Sequence, residues 1–305
     1  MSKVLVVGSI NMDLVVQVEQ FPRLGETLLG QHFATHHGGK GANQAVAAAR
    51  LGAQVTMIGR VGDDAFGREL KDSLSTEGIN TEWIKTSPNT ASGIAMITLA
   101  GSDNAIIVVP GANAHLSPAD IEAAEAAFIE ADVVIAQLET PLASIEMAAL
   151  LAQRYCKPFI LNPAPAMRLP ASLLDKVALL TPNEFELGMA LGRPESEWQQ
   201  ALQQMPGKVL MTAGGDGAWF TDAAGQLQQQ TSFKVTPVDT TGAGDTFNGA
   251  LTAFWDLGLP AASRMACAAG ALSVTKAGAQ GGMPTRAELL AFLADVASTG
   301  QGDAA

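Results

Sequence analysis

Short apolar runs recur along the chain at strand-like length: "KVLVVGS", "QVTMIGRVG", "ADVVIAQLE", "PFILNPA", "VALLTPNE" and "KVLMTAG". Most are separated by helix-length segments, among them 41–51, 65–77 and 141–154. That alternation predicts βαβ units on a parallel sheet. Runs this apolar predict strands covered on both faces, so the expected class is a three-layer α/β/α fold with a mainly parallel central sheet. Ligands collect beyond the carboxyl ends of strands in such sheets, and several of these runs end there in a polar or glycine-containing cluster.

Two regions break the alternation. Over 13–38 and 92–110, strand-like stretches ("LVVQVEQF", "TLLGQHFATHH", "GIAMITLAGSDNAIIVV") follow one another with turns and no helix between them. They read either as extra edge strands or as a small β-sheet projecting from the main one, and "AGSDNA" is a hairpin turn signal. Because both segments leave and return near strand ends, a small sheet there could act as a lid that excludes water from a ligand. No internal repeat or Pro/Ser-rich linker appears, so residues 1–300 are expected to form one α/β domain with those lid segments. The end, 301–305 within "STGQGDAA", reads as frayed.

Composition narrows the partners. Thirty acidic against 18 basic residues give a net charge of −12, which argues against nucleic acid or an anionic membrane as a general partner. The two cysteines, Cys156 and Cys267, are far apart and fit neither a disulfide framework nor a zinc spacing, consistent with a cytoplasmic location. No stretch resembles a secretory signal or a membrane span.

Two glycine turns open helical patterns. In "DTTGAGDTFNGA", Gly242 and Gly244 precede Asp245, and the following segment is helix-compatible through about Trp255. Backbone N–H groups at a helix start favour an anion, and a carboxylate beside them can take a proton from a substrate hydroxyl. The alternative is a glycine turn with Asp245 as an ordinary cap. In "HHGGKGANQAVAAARLG", Gly38 and Gly39 permit close backbone approach and Asn43 offers a donor and an acceptor to a polyol. Gly41 follows Lys40, so this is not a Walker A loop, and "VVGSINMD" lacks GxGxxG, so a dinucleotide site is disfavoured. Asn11 and Asp13 lie two apart on an extended segment, facing one way, and "QLET" offers Glu139 at a strand end. Asn183 and Glu186 in "LTPNEFE" fall at i, i+3, on one helical face, suited to ordering the waters of Mg²⁺, or else simply a solvated helix start.

Taken in order, these residues resemble the ribokinase-like (PfkB) family of carbohydrate kinases. The resemblance spans about residues 3–296, on the paired signatures "GGKGANQAVAAARLG" and "DTTGAGDTFNGA", with "GSINMD", "QLE", "LNPAPA", "TPNE" and "KAGAQ" in support. It implies an ATP-dependent kinase phosphorylating the 5-hydroxyl of D-ribose, with Asp245 as base and an anion hole at Gly242, Ala243 and Gly244. Asn11, Asp13, Gly38, Gly39, Asn43 and Glu139 would hold the sugar. Asn183, Thr212, Gly214, Gly215, Gly217, Gly244 and Cys267 would meet ATP, and Asn183 with Glu186 would serve Mg²⁺ through water. Asp239, Thr241, Ser273, Lys276, Gly278 and Gly282 match a K⁺ loop pair that works through backbone carbonyls. Gly282 stands where serine is common, and Cys267 where Asn or His is common. The family also implies a homodimer through the lid sheet. Kinases of the same architecture acting on deoxyribose, fructose, ketodeoxygluconate or adenosine remain alternatives, as does a non-catalytic sugar-binding regulator.

Overall fold

The computed structural model describes residues 2–101, 103–222 and 224–299. Its strands are β1 (Lys3–Val7), β2 (Asn11–Val18), β3 (His32–Gly38), β4 (Gln54–Gly62), β5 (Ile84–Ser87), β6 (Gly93–Ala100), β7 (Asp103–Val109), β8 (Val133–Ala136), β9 (Phe159–Leu161), β10 (Leu179–Leu180), β11 (Leu210–Thr212), β12 (Ala218–Thr221) and β13 (Leu227–Gln230). The helices are α1 (Lys40–Arg50), α2 (Ala65–Thr76), α3 (Pro118–Ala123), α4 (Glu125–Glu130), α5 (Leu142–Arg154), α6 (Ala171–Leu174), α7 (Glu184–Leu191), α8 (Trp198–Gln204), α9 (Ala243–Ala253), α10 (Leu259–Ser273), α11 (Ala279–Gly282) and α12 (Arg286–Thr299).

Six strands form a parallel sheet in the order β10-β9-β8-β1-β4-β5. Alternation along β1 builds two cores. Val4 and Val6 face one side with residues of α1, α9 and α10, while Leu5 and Val7 face the other with residues of α3, α4 and α5. Every residue of β1 after Lys3 is buried, so each apolar side chain there contributes about 1.5–3 kcal/mol relative to exposure. The expected three-layer arrangement is therefore what forms.

The chain leaves this sheet after Val7 and enters a second, four-stranded sheet of order β3-β2-β6-β7. It is mixed: β2 pairs parallel with β6 and antiparallel with β3, and β6 pairs antiparallel with β7. Asn113 fastens the crossing point. Its Oδ1 accepts from Ile10 N at 2.9 Å, and its Nδ2 donates to Ile10 O at 3.1 Å and Asn11 Oδ1 at 2.7 Å. Of the two readings of 13–38 and 92–110, a separate small sheet is the one observed. Its strand β3 begins only at His32, so the first part of "TLLGQHFATHH" lies outside the strand. The "AGSDNA" turn joins β6 to β7, and its Ser102 lies outside the described residues.

One further expectation is corrected. The "KVLMTAG" strand, β11, pairs antiparallel with β12 and meets the central sheet only through the parallel bridges Leu180↔Val209 and Asn183↔Thr212. Short as they are, those bridges seat the loop after β11 beside the start of α7. Ser298 and Thr299 fall in the last turn of α12; the segment 301–305, expected to be frayed, lies outside the described residues. Among the described residues no helix is long and apolar enough to cross a membrane.

Helices α1 and α9 cross at a close contact made of small residues. A Cβ on Gly249 would fall 2.5 Å from Ala47 Cβ and 2.6 Å from Gln44 O. Alanine would favour the helix by up to about 1 kcal/mol, but overpacking costs about 1–3 kcal/mol. Gly249→Ala should therefore lower the urea midpoint, and a raised midpoint would show that this contact does not set the helix spacing.

Candidate active site

Asp245 sits in the first turn of α9, 9% exposed. The cap position belongs to Gly242, with φ 76° and no side-chain cap, so Asp245 is not the ordinary N-cap that the sequence left open. Left-handed backbone of this kind suits glycine. The carboxylate faces side-chain amides from α1 instead: Oδ2 accepts from Asn43 Nδ2 at 3.0 Å and Oδ1 from Gln44 Nε2 at 3.0 Å. Helix α9 starts two residues before Asp245 and ends at Ala253, so the residue lies in the first turn, whose N–H groups a helix start leaves without intrahelical partners. Of the expected anion-hole donors, Ala243 N is turned toward Thr240 O at 3.2 Å.

A second group of polar residues surrounds the junction of the two sheets. Asn11 opens β2 opposite Gly38 of β3 and accepts from Asn113. Asp13 fills the space that Gly38 leaves: a Cβ on Gly38 would lie 2.3 Å from Asp13 Oδ2. Gly39 caps α1 with φ 89°, its Cα packed against the backbone of Ser9 to Asn11. Glu139, just beyond β8, accepts from Ser9 Oγ at 2.5 Å and from Lys40 N at 3.1 Å, both on Oε2. Burial first, then the charges of Glu139 and Asp245, push the Asp13 carboxyl up to about 7. These three carboxylates therefore share one electrostatic environment.

Lys40 answers that charge. Burial works against its ammonium, yet Asp245, Glu139 and Glu186 together outweigh it and hold the group above its usual value. The sequence reading left this side chain out of the site. It also missed Ser9, Gln44 and Asn113, whose partners lie far away in the chain; no local motif marks them.

Beside α9 lies a cavity of about 660 Å³. Thr212, Gly214, Gly215, Gly217, Ala243, Gly244 and Cys267 line it, bringing together six of the seven residues expected at ATP, all but Asn183. Phe233, Val235 and Phe247 add apolar wall that the sequence did not single out. Cys267 is buried and its thiol is pushed up to about 12 by desolvation, which makes it an apolar contact rather than a nucleophile.

Asn183 and Glu186 do not share a helical face as expected. Asn183 is the N-cap of α7, and the two form a capping box: Asn183 Oδ1 accepts from Glu186 N at 2.8 Å and Glu186 Oε2 from Asn183 N at 2.9 Å. Burial raises the Glu186 carboxyl, against the opposing pull of the Asn183 N–H and of Lys40, with Asp245 adding to the rise. The pair supplies oxygen donors only, and among the described residues no group of three His, Cys, Asp or Glu could cage a metal. Such a set fits a hard divalent ion that keeps most of its waters.

The loop pair 239–241 and 273–282 is tied by Asp239, whose Oδ1 accepts from Thr241 N at 2.9 Å and Oδ2 from Gly278 N at 2.8 Å. Those bonds outweigh burial and keep the carboxyl below its usual value. Gly282 packs on the Ser273 carbonyl: a Cβ there would lie 2.1 Å from that oxygen, so a serine would not fit without a shift. The Lys276 ammonium pairs with Glu288 at 3.0 Å and Ser273 Oγ donates to Gly270 O. What these two can offer an ion is therefore their carbonyls, and a carbonyl-plus-carboxylate donor set fits a monovalent cation.

Comparison with known proteins agrees with this geometry. The profile described as pfkB family carbohydrate kinase matches residues 1–286. The chain is 44% identical over 291 residues to the ribokinase of Bacillus subtilis, covering 95% of this chain and 98% of that protein. It is 37% identical to the deoxyribokinase of Salmonella typhi, covering 92% and 95% respectively. Among solved structures it superposes on Arabidopsis thaliana ribokinase, complexed with ribose and ATP, with a TM-score of 0.86, 32% identity and coverage of 96% and 98%. The chain belongs to the pfkB family of carbohydrate kinases, and is a phosphotransferase acting on an alcohol group.

Proposed function

We propose that this enzyme transfers the γ-phosphoryl group of ATP to the 5-hydroxyl of D-ribose, giving D-ribose 5-phosphate. The observation that carries the reading is the position of Asp245: its carboxylate is fixed by two amides in the first turn of a helix whose Ala243, Gly244 and Phe247 line the cavity of about 660 Å³, and its charge acts with that of Glu139 on Asp13 at the sheet junction. The ribokinase relatives, one of them solved with ribose and ATP, support the same acceptor and donor.

In this reading Asp245 accepts the proton of the 5-hydroxyl as its oxygen attacks the γ-phosphorus, and the leaving group is ADP. Amides at the start of α9 face the transferring group, with the Ala243 N–H exchanging its turn bond for the phosphoryl oxygen. Lys40 adds positive charge beside Asp245 and Glu186. Asn11, Asp13, Gly38, Gly39, Asn43 and Glu139 hold sugar hydroxyls, and Thr212 through Gly217 cover the nucleotide phosphates. Mg²⁺ would supply charge neutralisation to the phosphates, with Asn183 and Glu186 holding it through water. The loop pair around Asp239 would hold K⁺, and the four-stranded sheet serves as a lid that displaces water. The reaction belongs in the cytoplasm, where the free thiols of Cys156 and Cys267 stay reduced.

The lid also supports a homodimer. Every residue of β7 is exposed, and Met96, Ile106, Ile107 and Phe33 are each more than half exposed. An apolar sheet this open favours a partner. Sedimentation at working concentration is expected to give twice the chain mass; a monomer sinks this part of the proposal.

A coupled ADP-release assay across pentoses, hexoses and nucleosides should show D-ribose as the best acceptor, with turnover reduced when Na⁺ replaces K⁺. Asp245→Asn should lower kcat by about 10²–10⁴ while sugar binding by calorimetry persists. Near-normal turnover in that variant removes the base, and preference for 2-deoxyribose reassigns the acceptor.

The Asp13 carboxyl predicts a trade between binding and stability. The folded chain holds the Asp13 proton up to about pH 7, well above the usual carboxylate value of about 4, so ionised Asp13 costs stability above pH 7 and the cost vanishes as pH falls toward 4. Asp13→Asn should raise the melting temperature at pH 8, lose that advantage near pH 4, and weaken ribose binding. An advantage that is the same at both pH values contradicts the shared-charge account.

A further inference from the structure

Both oxygens of Asp245 are held by primary amides, and each amide is itself held by a second one. Gln44 Nε2 donates to Asp245 Oδ1 at 3.0 Å, and Gln44 Oε1 accepts from Gln137 Nε2 at 2.6 Å. On the other side, Asn43 Nδ2 donates to Asp245 Oδ2 at 3.0 Å, and Asn43 Oδ1 accepts from Gln280 Nε2 at 3.0 Å. An ionised carboxylate only accepts, so the NH₂ end of each amide has to face it. The opposite C=O end then needs a donor, which Gln137 and Gln280 supply.

One feature fixes the polarity of the Gln44 relay independently. Gln44 Nε2 also donates to Asn162 Oδ1 at 3.1 Å, and Asn162 is oriented in turn by donating its own amide to Thr181 O at 3.0 Å. A backbone carbonyl cannot donate, so that chain has only one direction. At the far end, Gln137 is fully buried and its Oε1 has no partner among the described residues. A buried acceptor left unpaired is a cost, and it falls where the relay runs out of donors.

We propose that these two amide relays, Gln137 to Gln44 and Gln280 to Asn43, aim the Asp245 carboxylate, making Gln44, Gln137 and Gln280 positioning residues for phosphoryl transfer. The proposal rests on the reading of Asp245 as the general base. Two hydrogen bonds, one on each oxygen, fix the plane of the carboxylate, and the remaining lone pairs stay available to the substrate hydroxyl. A flip of either inner amide would turn a carbonyl oxygen against the carboxylate; the outer glutamines prevent it. Gln280 lies in α11, within the segment tied to Asp239 through Gly278, so one relay joins that loop to the base.

Gln137→Met removes both the outer donor and the orphaned acceptor while keeping side-chain length. It should lower kcat between about 10-fold and 100-fold, leave KM for sugar and nucleotide unchanged, and leave the melting temperature close to that of wild type, because it exchanges the orphaned Gln137 Oε1 for an orphaned Gln44 Oε1. Gln280→Met, at a partly exposed position, should lower kcat and also raise KM for the sugar, because Asn43 is a sugar contact as well. In combination with Asp245→Asn, neither substitution should lower the residual rate further. A kcat within twofold of wild type in both variants, or losses that add to that of Asp245→Asn, overturns the relays while the base assignment stands. Full turnover by Asp245→Asn alone overturns the base and the relays together.

Discussion

A carboxylate nine-tenths withdrawn from water has to be hydrogen-bonded, and for Asp245 both partners come from α1. That requirement sets the geometry of the whole centre. Helices α1 and α9 must approach closely enough for Asn43 and Gln44 to reach across, which small residues at the Gly249–Ala47 contact allow. The two helices rest on the same face of the sheet as Val4 and Val6, so the central core positions the chemistry without contributing to it.

The surroundings are electrostatically costly. Asp13, Glu139 and Asp245 share one region, with Lys40 as the cation that faces them. Buried like charges destabilise a folded chain unless something compensates. A sugar bringing hydroxyl donors, and a nucleotide drawing on Lys40, would complete what the protein alone leaves unbalanced. Concentrating strain of this kind at a functional site, while an ordinary apolar core supplies stability elsewhere, is a common division.

The junction between the two sheets is held by one side chain. Asn113 makes three hydrogen bonds to Ile10 and Asn11 where the chain passes from β1 to β2. Asn11, Asp13, Gly38 and Gly39 are all within a few residues of that point. Movement of the four-stranded sheet would therefore act directly on the groups proposed to hold the sugar, and the wide exposure of β7 shows that the outer part of this sheet lacks cover within one chain.

Periodicity and turn chemistry made the layers legible. The apolar runs around Val4, Met57, Ile135 and Ile160 became neighbouring strands because burial on both faces demands that composition, and the two glycine turns opened helices at Gly39 and Gly242, whose positive φ few other residues adopt. Chain order alone also presented Asp245, Asn11, Asp13, Asn43 and Glu139 as chemistry-bearing positions. Local rules misplaced what depends on partners. Asn183 looked like a helix-face ligand and is a cap, and the strand of "KVLMTAG" joined an antiparallel sheet, because pairing is settled by neighbours distant in sequence. Residue types by themselves thus determined the layers and the candidate groups. Only the tertiary structure decided that Gln44, Gln137 and Gln280 meet around one carboxylate: a hydrogen bond between residues 44 and 245 leaves no periodic trace in the chain, and exists only once two helices have packed.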